Sequence, residues 1–182
     1  MSKKAIVVVD LQNEYLPTGK LALVGIEEAL ANAARVISDA RTNGDRIIHV
    51  RHESTEPDSP FFAPGSDGVQ IHASVAPEHG EPVIVKNHPN SFLETDLKQM
   101  LDKEEIKEVS IVGAMSHMCI DATTRAASDL GYKATVVHDA CATRDLEFRG
   151  QTVPAAQVHS ALMSALAFAY ATVVTTDEYL AG

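Results

Sequence analysis

The sequence predicts an α/β fold, a three-layer α/β/α sandwich whose middle layer is a six-stranded parallel sheet. Two observations carry that prediction. Short runs rich in Val and Ile recur along the 182 residues, with helix-like patterns between most of them. These runs are continuous rather than alternating, as expected of strands buried on both faces. Strand, helix and next parallel strand connect right-handedly, so repeats of the unit lay helices on both faces of one sheet.

The strand-like runs are AIVVVD at 5–10, RIIHV at 46–50, PVIVK at 82–86, VSIVG at 109–113, ATVVH at 134–138 and ATVVTT at 171–176. After the first, Ile26, Leu30, Ala33, Ile37 and Ala40 step by four, three, four and three, which puts them on one side of a helix. Gly44 then offers a left-handed stop. A second helix fits TDLKQMLDKEEI at 95–106, capped by Thr95. A third begins near Cys119 and stops at Gly131, and a fourth starts at Pro154 with Val158, Leu162, Ala165 and Phe168 on one side. Residues 52–82 break the pattern: they are rich in Pro, Gly, Asp and Ser, with Phe61 and Phe62 in the middle. A loop of that length is a lid over a site or a solvated insertion pinned by its phenylalanines. No repeat or linker interrupts the chain, so residues 1–182 read as a single domain.

A net charge of -10, with no local Lys/Arg cluster, opposes attraction to nucleic acid or anionic lipid. The longest apolar runs reach about half of the roughly 20 residues a bilayer span needs. The start, MSKK, leads directly into a strand, and two cysteines make no disulfide framework. These features predict a cytoplasmic protein whose partner is a small molecule.

In open α/β sheets ligands gather outside the carboxyl ends of the strands. Asp10 ends the first strand, Lys86 ends the third, and Cys119 follows the fourth by a short turn. A thiol that attacks a carbonyl needs its proton removed; a helix start and a nearby cation favour the thiolate, and a carboxylate within reach takes the proton. The expected roles are therefore Cys119 as nucleophile, Lys86 as cation and Asp10 as base.

Around these positions the chain resembles the isochorismatase-like cysteine hydrolases. The matching segments are VVVDLQNEY, PVIVKNHPNSFLETDL, IVGAMSHMCIDATTRAASDLGY, VVHDACATRD and ATVVTTDEYL, in that order. The resemblance implies strand order 3-2-1-4-5-6 and a catalytic triad of Asp10, Lys86 and Cys119. It also implies a cis peptide at Ala114–Met115 and an oxyanion hole made by the Met115 and Cys119 N–H groups. A homodimer or homotetramer is implied as well. True isochorismatases cleave a vinyl ether and carry a small residue in place of the nucleophile, so Cys119 points to hydrolysis of a C–N bond in an amide, ureide or imide.

The candidate pocket residues are Gln12, Tyr15, Asn87, His88, Phe92 and His117, with His117 the first choice for substrate contact because it shares the turn of the nucleophile. Gln12 either orients the Asp10 carboxylate or caps the turn. Cys141, after the fifth strand, reads as a structural thiol. Nicotinamidases of this family hold a metal through an Asp-x-His motif after the second strand. This chain has HVRHES there, so His49, His52 and Glu53 form only an incomplete ligand set, and the expectation is no metal and no cofactor.

Two rivals compete. A receiver-like signalling domain also has an Asp after an early strand and a Lys after a later one, but expects paired acids and leaves Cys119 idle. A thiol redox sensor or small-molecule binder keeps the same fold without catalysis; low-pKa exposed thiols oxidise readily, so a depressed pKa does not separate sensor from nucleophile, whereas turnover does. A dinucleotide site is weaker still, since no Gly-x-Gly-x-x-Gly follows a strand.

Overall fold

The computed structural model describes residues 3–182. In chain order the strands are β1 (Lys4–Val9), β2 (Arg46–His52), β3 (Val83–Lys86), β4 (Glu108–Ala114), β5 (Lys133–Ala142), β6 (Leu146–Phe148), β7 (Gln151–Val153) and β8 (Ala171–Val174). The helices are α1 (Ile26–Asn43), α2 (Leu97–Lys103), α3 (Asp121–Asp129), α4 (Ala155–Ala169) and α5 (Thr176–Leu180). Six strands form one sheet in the order β3-β2-β1-β4-β5-β8, every pair parallel. The predicted spatial order holds, with one correction: the last sheet strand is the eighth of the chain, because β6 and β7 form a separate antiparallel hairpin. Its two-residue turn, Arg149 at φ 51° and Gly150 at φ 77°, is left-handed at both positions, the geometry that matches strand twist.

β1 lies at the centre, its residues 5–9 no more than 2% exposed. Because side chains alternate along a strand, Ala5, Val7 and Val9 enter one apolar layer with Leu97, Leu101, Ala127 and Leu166. Ile6 and Val8 enter the other, against Ile26, Leu30, Ala33, Ile37 and Ala40 of α1. The predicted stripe of α1 is thus wholly buried, and Gly44 closes the helix at φ 70° with its N–H on the carbonyls of Ala40 and Arg41.

Two helix expectations need correction. α2 starts at Leu97 and ends at Lys103, shorter than 95–106; Thr95 still serves its start, its Oγ1 accepting from Leu97 N at 3.3 Å, while Glu105 at φ 58° turns the chain away. α4 buries Ala155, Val158, Met163 and Leu166, leaving Ala165 exposed and Phe168 92% exposed. The helix is apolar nearly all round, so spacing alone offers more than one stripe, and the sheet takes the one through Met163.

Gly113 shows how closely β1 and β4 approach. At φ 134° a Cβ there would stand 1.9 Å from the Val9 carbonyl oxygen, and the β4–β5 register shifts at this point. After His52, which ends β2, residues 53–82 are irregular apart from a 3-10 turn at Ala73–Val75 and a single bridge between Ile71 and Gln12, and they bury Phe62, Val69 and Val75. Their far end is clamped by Glu81, which receives Arg41 at 2.8 and 2.9 Å and lies 3.0 Å from His49 Nε2. Among the described residues no helix is long and apolar enough to cross a membrane.

Candidate active site

The three predicted reactive side chains meet at the carboxyl edge of the sheet. Asp10 leaves β1 in left-handed backbone at φ 52°, its N–H on Val50 O at 2.9 Å, so the side chain turns in over the strand ends. Lys86 is the last residue of β3. Cys119 lies in a π-helical turn, Ser116–Ile120, that runs into α3, and the Ala114–Met115 peptide before it is cis. Exposure is 0% for Asp10, 1% for Lys86 and 6% for Cys119.

Lys86 Nζ links the group, 2.7 Å from Asp10 Oδ2, 3.2 Å from Cys119 Sγ and 3.1 Å from His52 Nδ1. An ammonium has three N–H bonds and no lone pair, so these acceptors match its capacity. The contact with Asp10 is the ion pair of the group, and the second carboxylate oxygen, Oδ1, is buried with no hydrogen-bonded partner. The carboxylate therefore keeps lone pairs free for a proton.

Burial alone would lower the Lys86 pKa, but Asp10 and then Cys119 outweigh it and raise the ammonium above the ordinary lysine value. For Cys119 burial comes first and the Asp10 carboxylate second, and together they overcome Lys86 and raise the thiol well above its usual value. Burial and the carboxylate thus oppose the pull of the helix start and the cation toward the thiolate. A thiol raised in this way needs a proton acceptor beside it to react. Burial, then Lys86, lowers the His52 pKa, which keeps that ring neutral near pH 7.

A cavity of about 290 Å³ opens over the sulfur. Its apolar walls are Tyr15, Leu21, Phe61, Phe62, Met115 and Met118. Polar groups come from His52, Ser54, Thr55, Ser59 and Asn87. Tyr15 and Asn87 thus line the pocket as expected, and Tyr15 stays a phenol because burial, then Asp10, raises its pKa far above normal. The other four candidates do not line it. Gln12 neither orients Asp10 nor caps a turn: its amide bonds both the N–H and the carbonyl of His52, and the carbonyl of Val69. His88 lies outside against Glu94 at 3.1 Å, and Phe92 stacks on Tyr132 beneath the surface. His117 turns away from the sulfur, its Nδ1 2.6 Å from Thr143 Oγ1.

Most residues that sequence reasoning missed come from 52–62, where no periodicity assigns a side chain to a face. Phe61 and Phe62 carried the one signal there, two adjacent aromatics in a polar loop. Phe62 is held from below: Glu14, 3% exposed, accepts from the N–H groups of Phe62 at 3.1 Å and Lys20 at 3.0 Å.

His49 and His52, three apart on β2, face opposite sides of the sheet, one toward Glu81 and the other toward Lys86. Among the described residues no group of three or more His, Cys, Asp or Glu is arranged to hold a metal ion.

A parallel sheet in this order brings an acid, an amine and a sulfur together at its carboxyl edge. The Isochorismatase domain model matches residues 4–178, and the chain belongs to the isochorismatase family. It is 49% identical over 176 residues to the uncharacterised isochorismatase family protein YddQ of Bacillus subtilis, covering 97% of this chain and 98% of that one. Among solved structures, a protein from Oleispira antarctica assigned as an isochorismatase hydrolase is 55% identical with a TM-score of 0.96, covering 100% and 97% of the two chains. N-carbamoylsarcosine amidase from Thermoplasma acidophilum is 27% identical with a TM-score of 0.82, covering 96% and 97%.

Proposed function

We propose that this hydrolase cleaves a C–N bond of a small amide, ureide or imide through a thioester on Cys119. One observation carries the reading: a single buried ammonium touches both a carboxylate and the thiol that lines a pocket. Likeness to an N-carbamoylsarcosine amidase adds to it.

In this mechanism Asp10 takes the thiol proton as the sulfur attacks the carbonyl carbon. The oxygen becomes an alkoxide held by the N–H groups of Met115 and Cys119. Among the described residues no protein acceptor takes the Met115 N–H. Lys86 offsets the charge that passes between carboxylate and sulfur. As the C–N bond breaks, Asp10 returns its proton to the leaving nitrogen. Water, giving a proton to the same carboxylate, then attacks the thioester; the acid departs and the sulfur regains a proton.

In this reading residues 1–182 act as one domain, 52–82 form the roof of the site, and the protein works without cofactor in the cytoplasm as a homodimer or homotetramer. A redox sensor fits less well, because a sulfur that is 6% exposed and whose pKa burial raises is slow to oxidise. The test is a panel of small amides, ureides and imides followed by ammonia or amine release, with Cys119→Ala as control. Release that depends on Cys119 is expected. No turnover across the panel, with rapid oxidation of Cys119 by dilute peroxide, would favour the sensor.

A further inference from the structure

His52 is used by nothing in the mechanism above, yet among the described residues it is the only imidazole lining the pocket. Its Nδ1 stands 3.1 Å from Lys86 Nζ. An ammonium only donates, so Nδ1 must accept, and in the neutral ring the proton is then on Nε2. That tautomer is fixed by the contact itself. Nε2 lies across the ring from Lys86, is not among the buried polar atoms left without a partner, and has no hydrogen bond to protein among the described residues. The edge-on contact with Phe62, centroids 5.1 Å apart, holds the ring in place.

We propose that His52 determines specificity by donating from Nε2 to a hydrogen-bond acceptor on the acyl part of the substrate. The acceptor stands a few bonds from the reacting carbonyl, since one ammonium touches both the sulfur and the imidazole. Among the described residues no Lys or Arg lines the pocket, and the N–H bonds of Lys86 behind it are taken. A carboxylate therefore finds no free cation there, and the substrate class is a neutral amide whose acyl chain carries a second carbonyl, ester or ether oxygen.

This rests on Cys119 being the nucleophile, and the test separates the two. Aldehydes add reversibly to a thiol: sulfur bonds the carbonyl carbon, and the thiol proton ends on the oxygen. Methyl 4-oxobutanoate and hexanal have similar lengths, with and without an ester acceptor, and each is titrated for protection of Cys119 against iodoacetamide by mass spectrometry. The wild type should favour the ester by about three- to tenfold. In His52→Asn, whose side-chain oxygen still reaches Lys86 in place of Nδ1 but leaves no donor in place of Nε2, the ratio should fall to about that of the free aldehydes with a simple thiol. In His52→Gln, which restores an N–H there, it should partly return. An unchanged ratio in the Asn variant overturns the role of His52 alone. Failure of both aldehydes to protect Cys119 overturns the nucleophile and this inference with it. Nitrogen NMR of the wild-type histidines needs no variant to fold: an Nε2–H tautomer for His52 near pH 7 supports the proposal, and an Nδ1–H tautomer ends it.

Discussion

Two thiols, one in the turn after β4 and one within β5, make a controlled comparison. Cys119 and Cys141 are 6% and 7% exposed, both are free, and burial raises both pKa values, that of Cys141 to about 12. Cys141 sits within β5, in register with Gly113, and its sulfur donates only to the Val137 carbonyl at 3.4 Å. Cys119 sits one turn beyond β4, where an ammonium and an underused carboxylate flank it. Burial is common to the two; a proton acceptor at hand belongs to one. Reactivity in this fold follows from what converges at a strand end and not from the thiol as such.

The largest expected effect divides the pair outright: Cys119→Ala should lower turnover on any substrate found by more than about 10³-fold with little change in melting temperature. A smaller effect bears on the shared property. With both sulfurs held as thiols, iodoacetamide labelling of the free enzyme should be slow at pH 7 and still rising above pH 9, since a raised pKa leaves little thiolate below it. A labelling rate that levels off below pH 8 would put the Cys119 thiol on the low side and remove the contrast with a sensor.

Glu81 offers a control that touches stability without touching either sulfur. Its hydrogen bonds from Arg41, with smaller help from Glu78 N and His49, outweigh burial and hold its carboxyl down to about 2, against an ordinary 4.5. A depressed carboxylate stabilises the fold fully above its unfolded value, and the contribution drains away as pH falls toward the folded one. Glu81→Gln should therefore cost about 1–3 kcal/mol at pH 7 by urea unfolding, and the gap to wild type should narrow between pH 4.5 and the onset of acid unfolding. Smallest of all, Cys141→Ala should cost about 1 kcal/mol and leave turnover within about twofold; a tenfold loss would show that the β5 thiol reaches the site after all.

The legible parts of the molecule are those where a period or a topological rule fixes direction. The β1 run and the α1 stripe were readable because burial on a sheet imposes them, and Asp10, Lys86 and Cys119 because strand ends share one edge. The hairpin at 146–153 was hidden by its shortness and by a turn, Arg149–Gly150, that lacks the usual Asn or Asp before Gly. α4 was misread because an almost wholly apolar helix has no unique face. Nearness in sequence misled for His88, Phe92 and His117, since one step along a turn reverses a side chain. His52 was weighed only as a metal ligand because its partner, Lys86, is 34 positions away.

The Glu14 carboxylate, which suspends Phe62 from the turn just after Asp10, ties catalyst and roof to one stretch of chain. Gln12 fastens His52 and Val69 from the same stretch, and a Cβ on Gly68 would strike Glu14 at 2.1 Å. Swapping residues 52–72 between relatives to exchange their selectivities would thus transplant a canopy without its struts; residues 12–15 must travel with it.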